Sequence, residues 1–475
     1  MRSKESEVDR DHIADNPVHD FRSLIEGPPS DIPDINEKLV LRNGDQIAVV
    51  GGGPSGSFFS YFTLKMARMI GLDIKITIFE PKNFLAKGPA GCNHCGGVIS
   101  ELMVQSLAVE GINIPTSVVQ RGINSYQLYT ERGDVHIETP AHEKTIASVY
   151  RSGGPKDLTI QEKDSFDNFL LQAAVREGAE HVPQTVDRVL LEDGKPILYS
   201  GDEVLTRADL VVGAFGVNGR KTPTFEGMDF GYKSPTVTRT AITEIALDPE
   251  YISEKFGNSI HLFLLPIKNI KFAAIIPKTS YVNLCMLGKK LDRVRVNEFL
   301  AHPKVRQLFP EDELEKLSCM CLPIMNIGAP ARPYTDRVVM IGDAGSTRLY
   351  KDGIGAAYFM GKSAAKTVVM NGVGEKHFRE NYLPDYRSLI TDNRFGSFLF
   401  LFTDLVRKYK FLTSAMVRVV KRESENHKDE EKILSSILWD MFTGNERYKE
   451  VFKRAIRPEL IVKMTTSTIR QILRI

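Results

Sequence analysis

Two clusters in this chain carry residue types that can do chemistry. The first, Cys92-Asn93-His94-Cys95-Gly96-Gly97, puts two thiols and an imidazole on a glycine-rich loop. A C-x-x-C spacing serves either a zinc knuckle or a thioredoxin-like dithiol. Structural zinc takes four ligands, and the other cysteine pair, Cys319-Met320-Cys321, stands far along the chain, so no metal is expected. A redox pair would need a depressed thiol pKa and access to its electron acceptor. A packed, inert Cys92 is the alternative. Cys95 is the stronger candidate, because the two glycines after it let its loop lie against a flat ligand. His94 could donate a proton near neutral pH, or be an incidental loop histidine.

The second cluster is Gly51-x-Gly53-x-x-Gly56, which follows an apolar run at 47–50 and leads through Pro54 and Ser55 into an apolar-rich helix. A second apolar run, 74–79, ends at Glu80-Pro81. Strand, glycine turn, helix and strand-end acid together form a dinucleotide-binding unit. The first glycine allows the tight turn, the second admits a pyrophosphate, the third lets the helix pack closely, and the acid accepts from ribose hydroxyls. The helix N-terminus presents free N–H groups and a positive dipole end to the phosphates.

The rest of the chain must hold these two loops. At 475 residues it can contain two domains, or one large α/β domain with an inserted sheet. The formal net charge of +2 argues against a nucleic-acid partner, though charge is uneven. The first 45 residues are acidic by about 5 charges and the stretch from Arg394 onward is basic by about 7. Five cysteines and no secretory leader point to a reducing, cytoplasmic compartment. No run is long enough to span a bilayer, since 395–402 is followed by Asp404 and Arg407.

Residues 1–44 read as a flexible acidic arm. Helical spacing begins at 98–109 and 164–180, and strand patterns fall at 123–129, 135–138, 186–190 and 208–214. Runs at 236–245, 260–266, 270–276 and 281–287 suggest an antiparallel sheet. The strand 337–341 leads through Gly342-Asp343 to a helix at 353–369, and 376–475 is mostly helical.

Three separated segments, the glycine fingerprint, ADLVVGAFG at 208–216 and VVMIGDAGSTRLYKDGIGAAYFMGKSAAKTV at 338–368, resemble the FAD-dependent oxidoreductases that include aromatic hydroxylases, halogenases and geranylgeranyl reductases. DSFDNFLLQAAVREGAE at 164–180 fits the same pattern, and CGGVIS at 95–100 is most similar to the geranylgeranyl reductase group. The resemblance implies an α/β fold: a Rossmann-like FAD-binding domain, an inserted antiparallel-sheet substrate domain and a helical C-terminal region. Nucleotide-binding segments would cover about 45–122, 160–222 and 335–370, and substrate segments about 123–159 and 223–334, within an oxidoreductase region of 45–375 followed by the basic region 376–475.

It further implies that Gly342 and Asp343 bind the ribitol or pyrophosphate of FAD, an N-cap role for Asp343 being the plainer alternative. Gly353, Ile354 and Gly355 would approach the isoalloxazine, as would Gly96 and Gly97, with Cys95 on the substrate side. Lys351 and Asp352 would touch flavin or substrate, or form a solvated loop pair. The family's Tyr-x-Trp-x-Phe-Pro signature is matched only as His261-Leu-Phe263-Leu-Leu265-Pro266, a candidate apolar substrate pocket. Phe215 replaces the acid of the relatives' Gly-Ala-Asp-Gly, and no second fingerprint marks a nicotinamide domain. NAD(P)H, a ferredoxin or a quinol is therefore the expected electron donor.

The expected reaction is reduction of a double bond in an isoprenoid or lipid-like substrate. A flavin monooxygenase and a membrane-docking electron-transfer subunit are the competing readings. In the terminal helix, Lys463, Ser467, Arg470 and Arg474 form one polar face and Ile461, Val462, Ile469, Ile472 and Leu473 the remainder. Peripheral contact with the inner face of an anionic membrane is expected from it.

Overall fold

The computed structural model describes residues 39–86, 90–139, 145–153, 164–219, 222–311, 313–314, 320–425 and 432–473. Its first sheet carries the glycine turn of residues 51–56. The strands run in the order Tyr334–Thr335, Val338–Met340, Leu210–Gly213, Gln46–Val50, Lys75–Phe79, Glu180–Val182, all parallel except the Tyr334–Thr335 edge. Ile47, Val49 and Ile78 are buried on one face and Ala48, Val50 and Phe79 on the other, as expected of a sheet covered on both sides. The strand following the helix Phe166–Glu177 is Glu180–Val182 and not 186–190, because that short, half-exposed triplet lies at the sheet edge. Arg188–Glu192 belongs to a separate three-stranded meander.

The helices Pro54–Met69 and Gly353–Met370 cross in contact on one face of this sheet. A Cβ on Gly361 would stand 3.2 Å from the Phe59 nitrogen, so the missing side chain sets their close approach. Leu41 is buried in this core and the Leu39 carbonyl accepts from Val373 N at 2.8 Å, so 39–44 are docked on the domain and are not part of a loose arm. The remainder of that expectation, 1–38, lies outside the described residues.

The second sheet has eight strands. Val237–Ala246, Tyr281–Gly288, Ile270–Pro277 and Ser259–Leu264 are antiparallel in series, but Ser259–Leu264 pairs in parallel with Ser125–Thr130. The two parallel strands come from separate passages of the chain out of the nucleotide domain, so no hairpin dictates their direction. Along Ser259–Leu264, Ile260, Leu262 and Leu264 face one core and His261 and Phe263 the other. The first face meets the C-terminal helices, where Trp439 stacks on Tyr126 at 4.6 Å. The second is covered by the helices Pro249–Lys255 and Arg293–Ala301 through Ile252, Phe256, Val296 and Phe299.

The terminal helix Pro458–Leu473 docks on Lys410–Glu425 through Leu460, Met464 and Ser467, with Ser467 Oγ donating to the Ala415 carbonyl at 3.4 Å. Ser467 therefore lies inside and not on a solvated polar face. Ile461, Val462 and Ile469, 52%, 63% and 50% exposed, point outward. Phe398, Leu401, Phe402 and Leu405 of the helix Leu383–Lys408 form a second outward apolar stripe. Among the described residues no helix is long and apolar enough to cross a membrane.

Candidate active site

The glycine turn has the geometry a dinucleotide requires. Gly51 sits at φ +112°, and a Cβ there would meet the Ala214 carbonyl oxygen at 2.5 Å. A Cβ on Gly56 would lie 2.0 Å from the Gly51 carbonyl, so only glycine lets the helix start this close to the strand. Beside Gly53 the space is open, and the helix that follows, with Pro54 at its first turn, has no side-chain cap. Ser55 Oγ is buried there without a partner. An orphaned hydroxyl at an uncapped helix start is what a bound phosphate would satisfy. Glu80 accepts from Gly52 N and Lys82 N, each at 2.9 Å, and its carboxylate retains lone pairs for a ribose hydroxyl. Pro81 carries the chain away from this acid.

Gly342 adjoins the same hydroxyl, since its Cβ would come 2.7 Å from Ser55 Oγ. Asp343 follows it in a single helical turn. Burial raises the Asp343 pKa, while a Thr347 hydrogen bond and the charge of Arg151 oppose the rise. Arg151 forms a two-pronged pair with Asp167, Nε and Nη2 each 2.7 Å from a carboxylate oxygen, and also hydrogen-bonds the Cys95 side chain. This cation joins three sequence segments. Asp167 hides on the buried face of its helix beside Phe166 and Leu170, and an acid in an apolar stripe was the available signal for a buried partner.

The Cys95-Gly96-Gly97 loop is clamped by Lys278, which sequence reasoning did not single out. Its ammonium donates to Gly96 O at 2.8 Å, Gly97 O at 3.1 Å and Val149 O at 2.9 Å, using all three of its hydrogens. Burial pushes its pKa down to about 8, against the charges of Cys95, Cys285 and Glu244. Asn283 Nδ2 donates to the Cys95 carbonyl at 3.2 Å. Gly96 lies on Ile276 and Cys285, on the sheet face shared with the C-terminal helices.

Cys92 has other partners. His94, in the left-handed region at φ +51°, turns its N–H onto Cys92 Sγ at 3.3 Å. The His94 Nδ1 stands 4.0 Å from Cys92 Sγ and 3.4 Å from Cys321 Sγ. Cys321, distant in sequence, belongs to this cluster. Its hydrogen bond to Cys92 holds that thiol far below its ordinary pKa, against the effect of burial, with His94 adding to the shift. Among the described residues no group of three or more His, Cys, Asp or Glu could hold a metal ion.

Two expected groups lie elsewhere. Phe263 stacks on Tyr129 at 4.7 Å and meets Phe299 edge-on at 5.2 Å; His261 Nδ1 is 2.9 Å from the Tyr129 hydroxyl; Leu265 is in the same core. Strand alternation sends these side chains to the face opposite Gly96, so His261, Phe263 and Leu265, with Pro266 ending the run, do not line a pocket beside the Cys95 loop. Lys351 is buried and Asp352 is half-buried and paired with Arg348, so they are not a solvated loop pair. Lys351 Nζ donates to Asp440 O at 2.6 Å and Glu446 O at 2.9 Å, and Asp352 caps the next helix by accepting from Gly355 N at 3.1 Å. Gly353 and Gly355 open that helix, and Ile354 packs into the nucleotide-domain core.

The chain is an FAD-dependent oxidoreductase, with the Gly51–Gly56 turn and the Gly342-Asp343 turn side by side at Ser55. In sequence and fold it is similar to geranylgeranyl reductase-like flavoproteins. No family model matches the chain. It is 24% identical over 396 residues to a geranylgeranyl diphosphate reductase of Synechocystis sp., covering 79% of this chain and 87% of that one. The fold is shared with a geranylgeranyl bacteriochlorophyll reductase-like protein of Thermoplasma acidophilum, at a TM-score of 0.58 and 16% identity over 90% of this chain and all of the other. A flavoprotein/dehydrogenase from Cytophaga hutchinsonii aligns at 0.57 and 15% identity over 91% of this chain and all of its own.

Proposed function

We propose that this enzyme reduces a carbon–carbon double bond in an apolar, isoprenoid or lipid-like substrate. The reading rests on the Cys95-Gly96-Gly97 loop, pinned by a buried ammonium against an apolar sheet face with one thiol beside a guanidinium. Bound FAD, held by the Gly51–Gly56 turn, Ser55, Glu80 and the Gly342-Asp343 turn, would supply the hydride equivalent. The protein supplies the proton. Lys278 has all three hydrogens committed to carbonyls, so it positions the loop. Cys95 Sγ is the proton donor to the second carbon, with the Arg151 guanidinium beside it, and solvent restores the proton.

The outward stripes of Phe398, Leu401, Phe402 and Leu405, and of Ile461, Val462 and Ile469 beside Lys463 and Arg470, support work at a membrane surface where such a substrate is dissolved. Electrons arrive from NAD(P)H, a ferredoxin or a quinol, and anaerobic titration with each in turn identifies which.

The test is anaerobic incubation of the reduced enzyme with geranylgeranyl diphosphate and with geranylgeranylated lipids, followed by mass spectrometry. The expected product gains one molecule of hydrogen per double bond, and Cys95→Ala abolishes that gain while flavin stays bound. A product carrying oxygen in an aerobic reaction, with no anaerobic turnover, would overturn the reading in favour of a monooxygenase.

A further inference from the structure

The cluster of Cys92, His94 and Cys321 has no part in that reaction, yet its arrangement is chemically specific. Two thiols from segments 229 positions apart share one imidazole nitrogen, at 3.4 and 4.0 Å, and hydrogen-bond each other. Cys321 lies on the edge strand Met320–Cys321, paired with Ile242, and Cys92 on the loop that leads into Cys95. His94 occupies the left-handed backbone region, which non-glycine residues seldom adopt, and that conformation is what aims its ring and N–H at the sulfurs. Cys92 is 5% exposed, while His94 and Cys321 are half-buried.

We propose that Cys92 and Cys321 are a peroxide-reactive thiol pair that closes to a disulfide, cross-linking the loop before Cys95 to the edge of the second sheet, with His94 as its proton carrier. The co-reactant is hydrogen peroxide or a small hydroperoxide. The Cys92 thiolate attacks one peroxide oxygen; the S–O bond forms, the O–O bond breaks, and the leaving hydroxide or alkoxide takes a proton to give water or alcohol. Cys321 then passes its proton to His94 and attacks the Cys92 sulfenic sulfur. The S–S bond forms, the S–O bond breaks, and hydroxide leaves as water with the proton from His94. Two thiols have lost two electrons and the peroxide has gained two. The hydrogen bond from Cys321 and the contacts with His94, which favour thiolate at Cys92, serve the first step. The proposal stands apart from the reductase reading, since it concerns no atom of the substrate.

The test treats the flavin-loaded full chain with stoichiometric hydrogen peroxide, blocks remaining thiols by alkylation, and maps peptides without reduction. A Cys92–Cys321 peptide is expected as the main cross-link, reversed by a dithiol reductant. Cys321→Ser should give no cross-link and instead a dione-trapped sulfenic acid at Cys92, and His94→Asn should slow cross-linking about tenfold or more. A Cys92–Cys95 peptide, or a Cys92 that still alkylates fully after peroxide, overturns the proposal. Should Cys321→Ser fail to fold, the wild-type peptide map decides alone.

Discussion

Lys278 donates to the carbonyl oxygen of Gly96 at 2.8 Å from a position 182 residues further along the chain, joining the second sheet to the loop of Cys95. Lys278→Met leaves the Gly96, Gly97 and Val149 carbonyls without this donor, at about 1–3 kcal/mol for each one left unsatisfied. Its folded pKa of about 8 lies below the ordinary 10.5, so between these values the unfolded chain binds more protons and wild-type stability rises with pH. Denaturant titrations across that window should show this rise in the wild type and a flatter profile, from a lower midpoint, in the variant. Equal slopes would remove the buried ammonium from the account.

Ser55→Ala should weaken FAD binding about tenfold, the loss of roughly one charge-assisted hydrogen bond, with no change in thermal stability of the flavin-free protein. Gly56→Ala should yield colourless protein, because the new Cβ collides with the Gly51 carbonyl. Flavin fluorescence titration reads both. Unaltered affinity in Ser55→Ala would mean that its hydroxyl does not face the cofactor.

Phe263→Ala should cost about 3–5 kcal/mol of stability, as a large core deletion does, and leave the KM for substrate within about twofold. Ile276→Ala, at the Gly96 contact, should instead raise KM. Denaturation combined with steady-state kinetics separates the two faces of the sheet; the reverse pattern would put the substrate among His261, Phe263 and Leu265.

Lys351→Met removes the donor that ties the Asp440 and Glu446 carbonyls to the loop before the helix Gly353–Met370. Limited proteolysis should then cut at 443–447 several times faster than in the wild type, with flavin still bound. Unchanged cutting would show that the Asp352 and Arg348 contacts with Gly444 suffice.

Phe398→Glu with Phe402→Glu should reduce flotation with anionic vesicles about tenfold or more and leave folding intact, since both rings are more than half exposed. Wild-type binding should weaken as salt rises, because Lys408 and other basic side chains add an electrostatic part. Absence of wild-type binding at low salt would refute a membrane surface role.

The glycine-turn half of the protein is legible in residue order alone. The turn at Gly51, Gly53 and Gly56, the acid at Glu80 and the Gly342-Asp343 turn are local features: backbone sterics and strand-end position fix them within a few residues of chain. Most of the second sheet was legible for the same reason, as its apolar runs are long.

What meets across the sheets was set by packing in three dimensions. Lys278, Arg151 with Asp167, and Cys321 each act on a partner set by strand order and crossover, which leave no periodic trace in the sequence. Alternation fixed that Phe263 and Leu262 face opposite ways, but which face the Cys95 loop would cover depended on packing. Likewise an amphipathic spacing does not say which stripe is buried: Ser467 went inward because Leu460 and Met464 were the residues that fitted against the helix Lys410–Glu425, leaving Ile461, Val462 and Ile469 to the solvent.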